Sequence, residues 1–398
     1  MNATIEDKDA IRQRLNQRAA ELVPVLRARA AETAEIGRLP EATIADFQEA
    51  GFFRILQPAK WGGYELKPHD FFDIQIKLAE GCMSSAWVLG VVAIHNWQLG
   101  LYDDRAAQDV WGEDTSVLIS SSYMPVGKVE RVEGGLKLSG RWGFSSGSKH
   151  CDWVFLGAMV PPLEAGGPPD YRTFLVPRSD YDIVDNWAVT GLQGTGSHDI
   201  VVKDAFVPEY RTHKSIDGFN QQSPGNEVNT HPVFKLPFGQ IFVRAVSSSA
   251  IGALQGAIND FIELAGTRVG VNDGRKSIED PGTLKTLADA IATVDECKAV
   301  LYKNFDIMYE RAVAGEPLTI EERVKWRYDS ARVAGRCNEA ANKMFMYCGS
   351  RAIFANYPLN RVQADIQAGL THVANVADKY AYNLSGVLLG KDSTDFFL

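Results

Sequence analysis

Three polar groupings in this chain have residue types and spacing that chemistry could use. The first is Gly143-Phe144-Ser145-Ser146-Gly147, with His150 three residues on. A G-x-S-x-G run is the nucleophile elbow of hydrolases, and that use needs a strand, a sharp turn and then a helix. Cys151 to Val160 reads as another strand. A serine-rich β turn, or a set of hydroxyls and amides that hydrogen-bonds a polar ring, fits the segment better. The second grouping, Gly191-Leu192-Gln193-Gly194-Thr195-Gly196-Ser197, lacks the G-x-G-x-x-G order and opens no helix, which argues against a dinucleotide site. A loop whose amides approach a ligand and a plain β turn fit it equally. The third, Ser120-Ser121-Ser122, is neutral by itself. Of the 7 histidines, none pairs in H-x-x-x-H or H-E-x-x-H spacing, so no metal is expected. His95 ends an apolar run and His372 lies in Leu370-Thr371-His372-Val373. Taken singly, each reads as a core histidine with one satisfied hydrogen bond.

The elements that must position these groups fall into three zones. Residues 1–115 are helical in texture. Ile11, Leu15, Ala19, Leu22 and Leu26 recur at three- and four-residue steps, Pro40 and Gly51 bracket a second helix, Asp70 to Leu78 reads as a third, and Ser84 to Leu101 is apolar nearly all round. Residues 116–234 change period. A hairpin turning at Gly134-Gly135, a buried strand from Trp153 to Val160, and shorter strands at 171–176, 181–184 and 200–202 predict a compact β sandwich or barrel. Residues 235–398 return to long helices, Ala245 to Leu264, Thr283 to Ala314 and Ile320 to Cys348, which predict an antiparallel bundle. The polar stretch His213 to His231 is either a linker or a lid.

The 398 residues allow two or three domains, and 45% hydrophobic with 23% charged residues is a globular balance. A net charge of −9 opposes binding to nucleic acid. Five cysteines without a CxxC pair exclude a disulfide scaffold and a zinc ribbon, and read as reduced thiols of a cytoplasmic protein. The N-terminus is charged rather than apolar, and the longest apolar run, Ala86 to Ile94, is too short for a bilayer, so neither signal peptide nor membrane span is expected.

Taken together, the segments resemble a known family over essentially the whole chain. They are Gln57-Pro58 with Trp61-Gly62-Gly63, Ser85-Ala86-Trp87, His95, Ser120-Ser121-Ser122, Phe144-Ser145-Ser146-Gly147 with His150, Val176-Pro177-Arg178-Ser179-Asp180-Tyr181, and Gly194-Thr195-Gly196-Ser197. In order and type they resemble the oxygenase components of two-component flavin-dependent aromatic monooxygenases. These include p-hydroxyphenylacetate hydroxylase and 3-hydroxy-secosteroid hydroxylase. The resemblance implies the α+β, three-part acyl-CoA dehydrogenase fold. It implies reduced FMN or FAD supplied by a separate NAD(P)H:flavin reductase, O2 as co-substrate, a C4a-hydroperoxyflavin, and hydroxylation of a small aromatic substrate. No nicotinamide site is expected in the chain itself.

By the same resemblance, Ser146 matches the serine that hydrogen-bonds flavin N5. His95 and Ser121 match residues at the substrate hydroxyl, and His372 matches a second active-site histidine. His95 is expected to take a phenolic proton, its ordinary pKa near 6.5 suiting that step. Phe144 replaces a tryptophan beside the flavin ring. Trp87, Ser120, Ser122, Ser145, Thr195, Gly196 and Ser197 are expected to line the flavin, and Gly349 to reach it from a neighbouring subunit of a homotetramer. Two positions depart from the family. Where the hydroxyphenylacetate enzyme clamps its carboxylate with an arginine, this chain has Gly239 after Phe238, with Arg244 one turn further on. The run R-D-A-H before the second histidine is here Ala364-Asp365-Ile366-Gln367, a changed pocket floor. Both imply a neutral or bulky aromatic substrate, a substituted phenol or an indole. The alternative reading, an acyl-CoA dehydrogenase, needs a carboxylate base, and Gly369 to Val376 contains none.

Overall fold

The computed structural model describes residues 5–162, 164, 166–167, 170–270, 274–354, 357–395 and 397–398. Five helices come first: α1 (Ile5–Glu35), α2 (Glu41–Ala50), α3 (Pro68–Ala79), α4 (Met83–Leu99) and α5 (Asp104–Trp111). Their limits follow from local chemistry. Pro40 precedes α2 and Gly51 ends it in the left-handed region at φ 79°. The Asp70 carboxylate accepts the Lys67 N–H at 3.0 Å and closes the first turn of α3. All 17 residues of α4 are buried, as its apolar composition requires.

Seven strands follow: β1 (Ile119–Val132), β2 (Gly135–Ser145), β3 (Trp153–Val160), β4 (Asp170–Pro177), β5 (Tyr181–Val184), β6 (His198–Pro208) and β7 (Thr212–Lys214). Their order is β5-β6-β2-β1-β3-β4-β7. Among the described residues, only the β1–β3 pairing is parallel. β1 serves two partners. Ile119 to Ser122 pair with β3, Lys128 to Val132 pair with β2, and the register breaks between Ser122 and Gly127. At the break a Cβ on Gly127 would lie 2.6 Å from Trp142 and 2.7 Å from Ala158, so the strand crosses directly over the sheet's core there. The two halves close around Leu136, Leu138, Trp142, Val154, Leu156, Phe174 and Ile200. The predicted hairpin turns one residue early, at Glu133-Gly134, with Gly135 already paired to Val132.

The stretch from His213 to His231 is neither a bare linker nor a free lid. It begins in β7, continues as α6 (Ser215–Phe219), and packs the Gly225 amide on the Leu101 carbonyl at 3.0 Å. The final helices are α7 (Phe238–Thr267), α8 (Pro281–Ala314), α9 (Ile320–Tyr347), α10 (Pro358–Leu370) and α11 (Ala377–Leu388). One hydrophobic core runs from Leu15 on α1 through Phe71, Leu89 and Ile251 to Ile366 on α10, so the two helical segments are a single packed body. A second face of the sheet, through Ile119, Phe155 and Leu175, packs on Leu99, Tyr102 and Trp111. Among the described residues, α7 alone is long and apolar enough to cross a membrane, and 89% of its most apolar window is buried inside the protein.

α3 and α7 meet backbone to backbone. A Cβ on Gly252 would fall 1.9 Å from the Ile76 carbonyl oxygen, and one on Gly256 2.5 Å from that of Glu80. Gly252→Ala is therefore expected to destabilise the chain by roughly 1–3 kcal/mol through overpacking. The urea unfolding midpoint of the variant measures it.

Candidate active site

α4 carries one histidine with a fixed tautomer. His95 is fully buried, and its Nδ1 lies 2.6 Å from the Ile119 carbonyl oxygen at the start of β1. A carbonyl only accepts, so Nδ1 bears the proton and donates it, leaving a lone pair on Nε2. That Nε2 has no protein partner. Burial pushes the His95 pKa down to about 4, against the smaller opposing effect of the Ile119 bond, so the ring is neutral at pH 7. Tyr123, Phe155 and Phe242 surround it, with ring centroids at 6.1, 5.8 and 6.4 Å. The Tyr123 hydroxyl donates to Gln98, one turn beyond His95 on α4.

Strand alternation separates the three serines. Ser121 pairs opposite Phe155, on the face turned to α4, whereas Ser120 and Ser122 pair opposite Val154 and Leu156, on the sheet's inner face. The strand therefore presents Ser121 to one side of the sheet and Ser120 and Ser122 to the other, the same division that the resemblance makes between a substrate residue and two flavin residues. Ser120 Oγ is buried without a partner on that inner face.

A second cluster forms where β2 ends. The Trp87 indole N–H donates to Ser146 Oγ at 3.3 Å, Ser146 Oγ lies 2.8 Å from Ser197 Oγ, and Ser197 Oγ lies 2.7 Å from Thr195 Oγ1. Thr195 donates to the Leu192 carbonyl at 2.9 Å. The two ends fix the direction of the whole chain, since an indole nitrogen can only donate and a carbonyl can only accept. Protons therefore run from Trp87 to Ser146, Ser197, Thr195 and Leu192. Ser146 spends its own proton on Ser197 and keeps one lone pair free.

Strain gathers here as well. Phe144 and Leu192 hold φ of 64° and 52°, values that cost a non-glycine residue energy and cluster at functional sites. Phe144 is 67% exposed, with Trp187 edge-on at 6.0 Å. Ser145 Oγ is buried without a partner. Gly196, at φ 52°, packs close to Gly37 and Arg38 on the side of the N-terminal helices. The segment from Gly143 to Gly147 leads through a single turn of 3-10 helix at Ser148–His150 into β3, so no hydrolase elbow exists.

His372 joins this cluster through Trp87, ring to ring at 5.7 Å. Its Nδ1 accepts the Ala374 N–H at 3.1 Å, so the neutral ring carries its proton on Nε2. Burial, with the nearby Arg327 charge, pushes its pKa to about 4. The two histidines thus show opposite faces, His95 an acceptor and His372 a donor.

Three further positions singled out in the sequence have defined surroundings. Gly349, at φ 71°, lies just beyond the C-terminal end of α9 against the Arg268 guanidinium. Arg268 follows the last residue of the 30-residue α7. At 1.5 Å per residue that end is about 40 Å from Phe242, so Gly349 does not meet the cluster within one chain. Arg244 is buried near Asp329, Cys297 and Arg327 of α8 and α9, its Nη1 and Nη2 have no hydrogen-bond partner among the described residues, and burial pushes its pKa down to about 10. Asp365 is buried under the glycine-rich loop. Its Oδ1 accepts the Leu192 N–H at 2.6 Å and pins the strained loop to α10. Gln98, Tyr123 and Phe242 are residues around His95 that sequence reasoning missed. Only Gln98 and Tyr123 left a signal, three positions beyond His95 on a helix and two beyond Ser121 on a strand.

The fold and the two polar clusters define a flavoprotein of acyl-CoA dehydrogenase type. Residues 245–377 match the family described as acyl-CoA dehydrogenase, C-terminal domain. The chain is 40% identical over 93% of its length, and 96% of the relative's, to the flavin-dependent monooxygenase, oxygenase subunit HsaA, of Rhodococcus jostii (strain RHA1). It is 32% identical, over 81% of its length and 79% of the relative's, to the FADH(2)-dependent resorcinol hydroxylase, oxygenase component, of Rhizobium sp. (strain MTP-10005). The crystal structure of 3-HSA hydroxylase from Rhodococcus sp. RHA1 superimposes with TM-score 0.92 at 39% identity, covering 96% of this chain and 98% of that one. The chain belongs to the family of oxygenase components of two-component flavin-dependent monooxygenases. Its residues fit a reduced flavin: Ser146 has a lone pair left for a ring N–H, and the exposed, strained Phe144 offers an aromatic face.

The buried and half-buried histidines make stability depend on pH. His95, His213, His231 and His372 all sit at about 4, below the 6.5 of an unfolded chain. Between those values the unfolded state binds more protons, so stability is complete above pH 6.5 and is lost as pH falls toward 4. Burial raises Asp365 to about 6 and also raises Asp73, Asp217 and Asp260, which act oppositely over part of that window, while burial lowers His150 and His198 as well and adds to the histidine effect. The thermal unfolding midpoint is expected to fall steadily from pH 6.5 to 4.

Proposed function

We propose that this chain binds reduced flavin delivered by a separate NAD(P)H-dependent reductase, consumes O2 and hydroxylates a neutral aromatic substrate, a substituted phenol or an indole. The observation that carries this reading is the unpartnered Nε2 of a neutral, buried His95, eight residues along α4 from the Trp87 that feeds Ser146. Eight residues span about 12 Å, enough to hold a flavin ring edge at one end and an aromatic substrate at the other. The flavin supplies the oxygen chemistry when bound. The protein positions both rings and keeps water out.

His95 accepts the hydrogen bond of a substrate O–H or N–H. It does not take the proton in advance. Moving a proton from a phenol of pKa ~10 to an imidazole at about 4 costs about 8 kcal/mol at 1.36 kcal/mol per unit. The proton moves once the ring has been attacked and its hydroxyl has become strongly acidic. This revises the role expected from the ordinary histidine pKa. Gly239 offers no side chain to clamp a carboxylate, which supports a neutral substrate. A dehydrogenase base is not supplied either, because Asp365 already accepts the Leu192 amide.

The active form in this reading is a cytoplasmic homotetramer in which Gly349 reaches a neighbour's flavin. Exposed apolar residues near it (Met346, Ile353 and Phe354) and on or just after α11 (Tyr382, Leu388 and Leu389) support such association. The cofactor is reduced FAD or FMN.

Anaerobic titration with each reduced flavin, then rapid mixing with O2 and a panel of phenols and indoles, tests the reading. Expected is a lasting near-ultraviolet transient, distinct from oxidised flavin, that decays faster with a substrate. Immediate reoxidation with every substrate would exclude the reading. Ser146→Ala is expected to release hydrogen peroxide faster in the absence of substrate, seen by a peroxide-coupled assay. His95→Ala is expected to slow hydroxylation about 100-fold or more while leaving the transient intact. Loss of the transient itself would place His95 at the flavin instead.

A further inference from the structure

Resting on that reading, the geometry points to Phe397 and Leu398 as the end wall of the substrate cavity, the element that limits how long a ring substituent the enzyme accepts. From His95 a row of rings leads outward. Phe242 lies against His95, Phe238 is stacked on Phe242 at 5.4 Å, and Phe397 stands 6.3 Å beyond Phe238. Beyond Phe238 lies a small cavity of about 30 Å³, bounded by Gln98, Thr173, His213, Phe238, Phe397 and Leu398. That volume holds one or two waters, so a methyl- or hydroxyl-sized group fits it without displacing the lining.

The wall is built, not loosely draped. Leu398 is buried, and the Arg323 guanidinium, which also donates to Phe219 and Gln221, reaches its carbonyl oxygen at 3.4 Å. Asp395 accepts the Phe397 N–H at 3.0 Å and pairs with Arg327 at 3.5 Å. Both arginines come from α9 and are buried. Gly239 is the position that admits the wall. A Cβ there would fall 1.8 Å from the Phe397 carbonyl oxygen, so any side chain displaces this segment. Glycine at 239 thus replaces a side-chain contact to substrate with a contact supplied by the chain's last described residues. The cavity's polar groups are neutral: an amide at Gln98, a hydroxyl at Thr173, and the His213 imidazole, whose Nε2 bonds Ser223 at 3.0 Å. The substituent it takes is short and uncharged.

The test is isothermal titration of the flavin-loaded protein with phenol and 4-butylphenol, comparing wild type, Phe397→Ala and Gly239→Ala. The ratio of the two dissociation constants is the readout. In wild type it is expected to disfavour 4-butylphenol, and in both variants to shift toward it by about tenfold or more, the scale of a few methylenes in a pocket. A ratio that moves less than that in both variants overturns the assignment. So does a wild type that binds the two phenols equally. Because binding is measured without turnover, the wall is tested even if no phenol is hydroxylated. Product formation from phenol in the same samples tests the enzymatic reading separately.

Discussion

A helix buried on every side has to hand each of its polar groups to another element, and α4 distributes its own over three layers. Trp87 donates to the end of β2, His95 to the start of β1, Asn96 to the Phe53 carbonyl and to Gln57, and Trp97 to the Val233 carbonyl. Each bond is worth little net, but an orphaned partner in that interior would cost about 1–3 kcal/mol. The sheet, the N-terminal turns and the segment before α7 are therefore held in register with one rod. The Nε2 of His95 is one of two acceptors on α4 left unsatisfied, the other being Asn96 Oδ1. The native fold tolerates that cost beside aromatic rings where a ligand group can meet it.

The same logic of directed bonds gives the site its polarity. Indole at one end and carbonyl at the other leave the serine–threonine relay a single orientation, and Asp365 secures the carbonyl's residue from α10. Two neutral histidines, each fixed by one backbone contact, then present opposite hydrogen-bonding faces. No charge is needed at either. In the proposed reading such a site selects by hydrogen-bond direction and shape, which matches a glycine at 239.

Much of this was legible in the sequence. The apolar run of α4, the Pro40–Gly51 bracket, the hairpin glycines and the long helices of the bundle announce themselves through period and caps. The resemblance placed Trp87, His95, Ser146 and His372, and the fold brings Trp87, Ser146 and His372 into one cluster. What escaped depends on distant contacts. β1 changes partner midway, and nothing local to Ser122–Gly127 records it. Strand alternation splits Ser120-Ser121-Ser122, a run that composition treats as one unit. The histidine tautomers are set by Ile119 and Ala374. The function of Gly239 is visible only when residue 397 lies on it.

The shared helical core has a consequence for synthesis. The sheet is an insertion within a helical body whose first segment ends with α4 at Leu99 and whose second begins with α7 at Phe238, and whose core reaches from Leu15 to Ile366. Contacts of that range close slowly, since loop-closure entropy is lost before they form. As the chain leaves the ribosome, α1 to α4 emerge with apolar faces that only α7 to α10 can cover, while the sheet between them can already close on its own core. The first quarter of the protein must therefore stay unfolded or sheltered until the last third arrives.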